Sequence, residues 1–136
     1  MPAEPKTTRE VCDAYLARLA ERDLNGAVDL FSDTVDWDAP GSPDVPWSGR
    51  RSSREGVRDF FTTLHEHLQP EEFTVTHMVV DGEQAVIIGR LRDTVKATGG
   101  TLVTPFAAHV TVEDGQFTRY HLFEDTYALD RAVAGA

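Results

Sequence analysis

Cysteine occurs once in the 136 residues, at Cys12, so no internal disulfide can brace the chain. Such usage suits a reducing compartment, and a cytoplasmic location is the expectation. Long apolar runs are missing too: nothing approaches the ~20 residues that a membrane-spanning helix needs. The opening MPAEPKTT lacks the apolar segment of a secretory signal. Positive charge is scarce, with 13 Lys and Arg against 23 Asp and Glu and a net charge of −10. A surface of that sign repels phosphate backbones and anionic lipid, which argues against nucleic acid and membrane as partners. No P-loop, dinucleotide fingerprint or G-x-S-x-G nucleophile elbow is present. What remains is a chain with 40% hydrophobic and 26% charged residues, an ordinary globular balance at a length that fits one domain, residues 1–136.

The chain divides by period. Residues 1–6 hold two prolines and read as a loose tail. Val11, Cys12, Tyr15, Leu16 and Leu19 form one apolar stripe, which predicts a first helix over about 7–21. Asp23 can cap a short second helix carrying Leu24, Ala27, Val28 and Phe31. Thr34–Ala39 reads as a strand, and the proline-rich PGSPDVPWSG after it as a loop or irregular hairpin. Ser52 with Glu55 has capping-box spacing and opens a third helix that ends at Gln69-Pro70.

Beyond Pro70 the pattern is that of strands. Phe73–Val80, Gln84–Lys96, Thr101–Glu113 and Gln116–Ala128 are separated by Asp81-Gly82, Gly99-Gly100 and Asp114-Gly115. Asp-Gly between apolar runs is a strong hairpin signal. Helices first and a strand meander afterwards predict an α+β domain, with a mostly antiparallel sheet rolled around the third helix. Gly89 and Pro105 inside strand patterns mark bends, and a bent sheet with helices across it leaves an apolar pocket at its wide end.

Four polar groups are candidates for chemistry. Tyr15 lies on the buried stripe, where its hydroxyl either meets a protein partner or aims at a ligand oxygen. In Asp36-Trp37-Asp38 the two carboxylates share one strand face; an Asp against apolar walls could act as a base, whereas outward aspartates leave Trp37 as core. His109 sits mid-strand, and His121, Phe123 and Asp125 share a face of the last strand, so a His and a carboxylate could meet across the pocket. Both sets also read as satisfied core or edge groups. His65-Glu66-His67 lacks the i, i+4 spacing of a helical metal pair and predicts no metal site.

The segment from Tyr15 through Asp23, Gly26, Val28, Leu30 and Phe31 resembles the opening of bacterial ketosteroid isomerases. Val35–Ser42 and Ser48-Gly49 resemble the same family with small insertions and deletions. Thr104-Pro-Phe-Ala-Ala-His109, Asp114-Gly115 and Asp125 look more like the SnoaL-like polyketide cyclases of the wider nuclear-transport-factor-2-like (NTF2-like) superfamily. The resemblance spans about residues 9–130. It implies a cone-shaped, cystatin-like α+β roll, a homodimer formed through the sheet, and no metal or organic cofactor. By the isomerase pattern Tyr15 matches the tyrosine that donates to the enolate oxygen and Asp38 the catalytic base; ketosteroid isomerase, a worked example of carboxylates tuned to opposite roles, also uses a second, protonated Asp. That second acid falls where this chain has Ala107 and Ala108. By the cyclase pattern His109 and Asp125 are implicated. Limonene epoxide hydrolases of the same superfamily match at Asp125, but their Arg-x-Asp pair has only Arg90 and Arg92 as neighbours here.

The reading is an isomerase or cyclase, working by proton transfer on a small hydrophobic carbonyl compound, polyketide-like or steroid-like. Asp38, Tyr15, His109 and Asp125 are its candidate catalytic groups. Trp37, Trp47, Phe60, Phe61, Leu64, Phe106, His121 and Phe123 are its candidate substrate contacts, with Trp47 on a flap. The alternatives are a non-catalytic small-molecule-binding domain, an epoxide hydrolase of the same fold, or an interaction module using the sheet's exposed face. An apolar cavity with Asp38 and Asp125 both turned to solvent is the arrangement expected of a binder.

Overall fold

The computed structural model describes residues 5–135, so most of the tail expected at residues 1–6 lies outside the described residues. Helix α1 (Thr8–Ala20) opens on a capping box: the Thr7 hydroxyl accepts from the Glu10 N–H, and the Glu10 carboxylate accepts from the Thr7 N–H. Helix α2 (Leu24–Val28) is capped by Asp23, whose carboxylate accepts from the Gly26 N–H. Strand β1 (Phe31–Ala39) and a short β2 (Gly49–Ser53) precede helix α3 (Arg54–His67). Strands β3 (Leu68–Asp81), β4 (Gln84–Val95), β5 (Thr101–Glu113) and β6 (Gln116–Glu124) follow, and helix α4 (Thr126–Ala134) comes last.

The six strands form one curved, unclosed sheet in the order β2-β1-β6-β5-β4-β3, with the helices on its concave side. Every neighbouring pair is antiparallel except β1 with β6. The α+β roll expected from the chain order is the observed fold. α3 contributes Val57, Phe60 and Phe61 to the core, each worth about 1.5–3 kcal/mol of burial. The other half comes from alternate strand residues, among them Phe31, Val35 and Trp37 of β1 and Leu102, Thr104, Phe106, Ala108 and Val110 of β5. Trp37 lies flat on Tyr120, with ring centroids 4.6 Å apart and 9° between the planes.

Local corrections have local causes. The cap of α3 is Ser53, not Ser52: the Ser53 hydroxyl accepts from the Gly56 N–H, while Ser52 is exposed in β2. The proline-rich stretch is a loop as far as Ser48, and the strand after it, Gly49–Ser53, pairs with β1 across a register slip, which makes the irregular hairpin expected there. α3 stops at His67 and Pro70 lies inside β3, which an edge strand tolerates because no outer neighbour needs its missing N–H. At Gly89 the expected irregularity is present: the β3–β4 register slips between Val75 and His77, and Gly89 pairs with Val75. Pro105 marks no slip, its pairing with Arg90 being continuous. The last strand ends at Glu124 rather than Ala128, since Asp125 accepts from the Ala128 N–H and starts α4.

Candidate functional site

Strand parity decides which side chains reach the concave face. On β1, Val35, Trp37 and Ala39 point inward, which sends Asp36 and Asp38 out. The structure therefore corrects the placement of Asp38: it faces away from the cavity, 3.6 Å from Arg50. Asp36 beside it accepts from His121 Nε2 at 2.9 Å and lies 3.5 Å from Arg119. The His121 hydrogen bond first, and then the two arginines, hold Asp36 below the usual carboxylate range. His121 is thus on the outer face, as is Phe123, 55% exposed. His109 is outside as well, donating to the Gln84 side chain at 2.8 Å, because Ala108 and Val110 take the inward positions. Asp125 is spent on the α4 cap, and its own N–H donates to the Thr104 hydroxyl at 2.9 Å. Asp38, His109, Asp125, His121 and Phe123 do not line the cavity among the described residues. In each case a bulky apolar neighbour, or a cap, claimed the inward direction.

The concave face and the helices enclose a cavity of about 610 Å³, within the usual range for small-molecule sites. Tyr15, Trp37, Trp47, Phe60, Phe61, Leu64 and Phe106 line it. Trp47, on the loop after β1, is buried in the wall with its ring 5.9 Å from that of His67. At the inner end the Tyr15 hydroxyl meets the Tyr120 hydroxyl at 3.2 Å, with Phe31 and Phe117 packed edge-on or tilted around them. Cys12 is buried beside this cluster, and burial pushes its thiol up to about 11, so it stays protonated.

The tyrosines apart, the cavity's charged and titratable lining groups are Arg22, His65, Glu71, Glu72, Asp93 and Glu124, and strand periodicity could have found the last two. Asp93 continues the inward series Ala85, Ile87, Gly89, Leu91 of β4, and Glu124 continues Tyr120, Leu122 of β6. Neither has an ion-pair partner within 4 Å among the described residues. Burial, and then the charge of Glu71, push Asp93 up from 3.8 to about 6. Burial, and then the charge of Asp93, push Glu124 up from 4.5 to about 7. Asp93 therefore ionises first, and its charge holds back the ionisation of Glu124.

The same shifts set a stability trend. The folded protein holds these two protons more tightly than the unfolded chain does. Their contribution is full below the ordinary carboxylate values and is lost as pH rises through about 6 and then about 7. Asp93→Asn/Glu124→Gln should therefore gain thermal stability relative to wild type as pH rises across that window. Unfolding midpoints read at several pH values check this, and a difference that does not change with pH would contradict it.

The SnoaL-like domain family matches residues 12–120. Asp93 lies inside that segment and Glu124 four residues beyond it. No curated protein matches the chain. Among solved structures, an NTF2-like protein from Burkholderia xenovorans LB400 is 21% identical over 94% of this chain and 98% of its own, with a TM-score of 0.83. A protein from Pseudomonas putida KT2440, provisionally named a polyketide cyclase, is 17% identical over 93% and 98%, with a TM-score of 0.78. A provisionally named isomerase from Bacillus subtilis is 17% identical over 95% and 94%, with a TM-score of 0.76. At these identities the likeness is one of fold. Matched from the helix that carries Tyr15 to the strand that carries Tyr120, the chain belongs to the SnoaL-like domain family and shares the fold of the NTF2-like structures.

Proposed function

We propose that the protein is an isomerase or cyclase that moves a proton on a small hydrophobic carbonyl compound, with Asp93 and Glu124 as the working pair. The observation that carries this is that, of the carboxyls lining the cavity, Asp93 and Glu124 are the two that burial raises, to about 6 and about 7, with no cation within ion-pair distance of either among the described residues. Between those values the pair holds one proton, Asp93 being the ionised member and Glu124 the neutral one. Asp93 takes the proton from the carbon beside the carbonyl, and the C–H electron pair becomes a C=C bond as the carbonyl π pair moves to oxygen. The Glu124 O–H donates to that oxygen as charge develops. Return of the proton at another carbon is isomerisation. Attack of the enolate carbon on a second carbonyl, with the proton finishing on the new alkoxide, is cyclisation. The lining aromatics provide apolar walls for the substrate, and the names of the cyclase- and isomerase-like structural neighbours are in keeping with this chemistry.

The test is exchange of the α-protons of 2-tetralone in D₂O, followed by proton NMR. Wild type, the outer-face variant Asp38→Asn and the helix-cap variant Asp125→Asn are expected to exchange at the same rate, and Asp93→Asn/Glu124→Gln at the uncatalysed rate. Full exchange by the double variant would end this reading. A second reading, a non-catalytic binder, is favoured by the outward placement of Asp38 and Asp125; saturable binding of the ketone with no exchange by wild type would establish it.

A further inference from the structure

The inner end of the cavity holds hydrogen-bond donors that the protein leaves unspent. Tyr15 and Tyr120 each carry one hydroxyl proton, and the single bond between them, 3.2 Å long, uses one of the two. With Tyr15 donating to Tyr120, the Tyr120 proton has no acceptor among the described residues. Trp37, stacked on Tyr120, adds a buried indole N–H that also lacks a partner among the described residues. Buried donors are normally paired, since leaving one unmatched costs roughly 1–3 kcal/mol. Both tyrosines remain neutral: burial raises Tyr15 well above the ordinary phenol value and Tyr120 to about 12, the latter against the opposing hydrogen bond from Tyr15. The surrounding rings of Phe31 and Phe117 offer no oxygen. This end therefore suits an acceptor and disfavours a charged group of either sign.

The position of these donors matters as much as their chemistry. Tyr120, Leu122 and Glu124 share the inward face of β6. Four residues of strand at about 3.4 Å each put the Cα atoms of Tyr120 and Glu124 about 14 Å apart. The apolar Leu122 lies between them. Leu122 separates the two polar ends of the cavity, although the Tyr120 hydroxyl still feels the charge of Glu124, so an elongated substrate can meet them with two different oxygens.

We infer that the Tyr15–Tyr120 pair is a second binding subsite, which anchors a neutral acceptor oxygen (carbonyl, ether or quinone) at the far end of an elongated ring substrate whose reacting carbon lies at the carboxyl pair. The assignment of the reacting end rests on the proton-transfer reading; the subsite itself does not. The substrate class is then an apolar ring body with an oxygen at each end.

Two probes of matched shape test it, 2-tetralone and 6-methoxy-2-tetralone, the second carrying an ether oxygen across the rings from its ketone. Binding is read by quenching of tryptophan fluorescence, which needs no turnover. Wild type is expected to prefer the methoxy compound about fivefold, the scale of one neutral hydrogen bond. In Tyr15→Phe/Tyr120→Phe, which keeps both rings, the preference is expected to vanish while the affinity for 2-tetralone holds. A preference that survives the double substitution, or an equal loss for both probes, would overturn the subsite. Failure of the proton-transfer reading shows separately, as absent α-proton exchange with the binding preference intact.

Discussion

Asp93→Asn is expected to slow proton exchange by about 10²–10⁴, the range for losing a positioned base, and Glu124→Gln by less. The order follows from the chemistry of the replacements. Asparagine cannot accept the proton from carbon. Glutamine cannot supply a proton, yet its amide still donates a hydrogen bond to the developing oxyanion. The pH dependence separates the two roles further. Wild-type exchange should rise as Asp93 ionises through about 6 and fall as Glu124 ionises through about 7, giving a narrow bell. Glu124→Gln should remove the alkaline limb, leaving a profile that rises and then stays level. Measured rates across pH on 2-tetralone decide this, and an unchanged bell in Glu124→Gln would remove Glu124 from the reaction.

Gly89→Ala is expected to be among the most damaging single changes to stability, and it is one methyl group. A Cβ there would lie 2.0 Å from the Thr74 carbonyl oxygen and 2.9 Å from the Phe106 ring. The first contact is with backbone, so relief requires β3 and β4 to separate where their register already slips between Val75 and His77. The loss should reach about 3–5 kcal/mol, at the upper end for point substitutions, and lower the unfolding midpoint by roughly 10–20 °C. Gly82→Ala is the comparison: the space around it is open, so only its φ of +59° resists a side chain, and a loss of about 1 kcal/mol is expected. Equal midpoints for the two variants would refute the steric account. The damage would extend to the cavity, because Phe106 stacks on Phe73 at 5.0 Å and lines the wall.

The sequence by itself determined the fold class, because its signals are local. The Asp-Gly turns, the Asp23 cap and the change from helical to strand period each depend on a few neighbouring residues. A glycine inside a strand pattern likewise flagged the irregularity at Gly89, whose cause, the Thr74 carbonyl of the neighbouring strand, only the pairing supplies. The aromatic lining was legible for the same reason: large apolar side chains inside periodic segments have nowhere else to go.

The choice of carboxylates was decided only by tertiary structure. An alternating strand offers two faces, and periodicity alone does not say which is concave. In Asp36-Trp37-Asp38 the pairing of β1 with β6 set Trp37 against Tyr120 and turned both carboxylates towards Arg50 and Arg119. On β6 the same choice drew Glu124 inward and put His121 and Phe123 outside, while Asp125 fell one residue past the strand and became a helix cap. Asp93 is an unremarkable strand residue until the roll of the sheet brings Glu71 and Glu124 near it and takes away its water. Burial and the fields of charges distant in sequence create the perturbed pair, and neither exists until the sheet has closed over the helices.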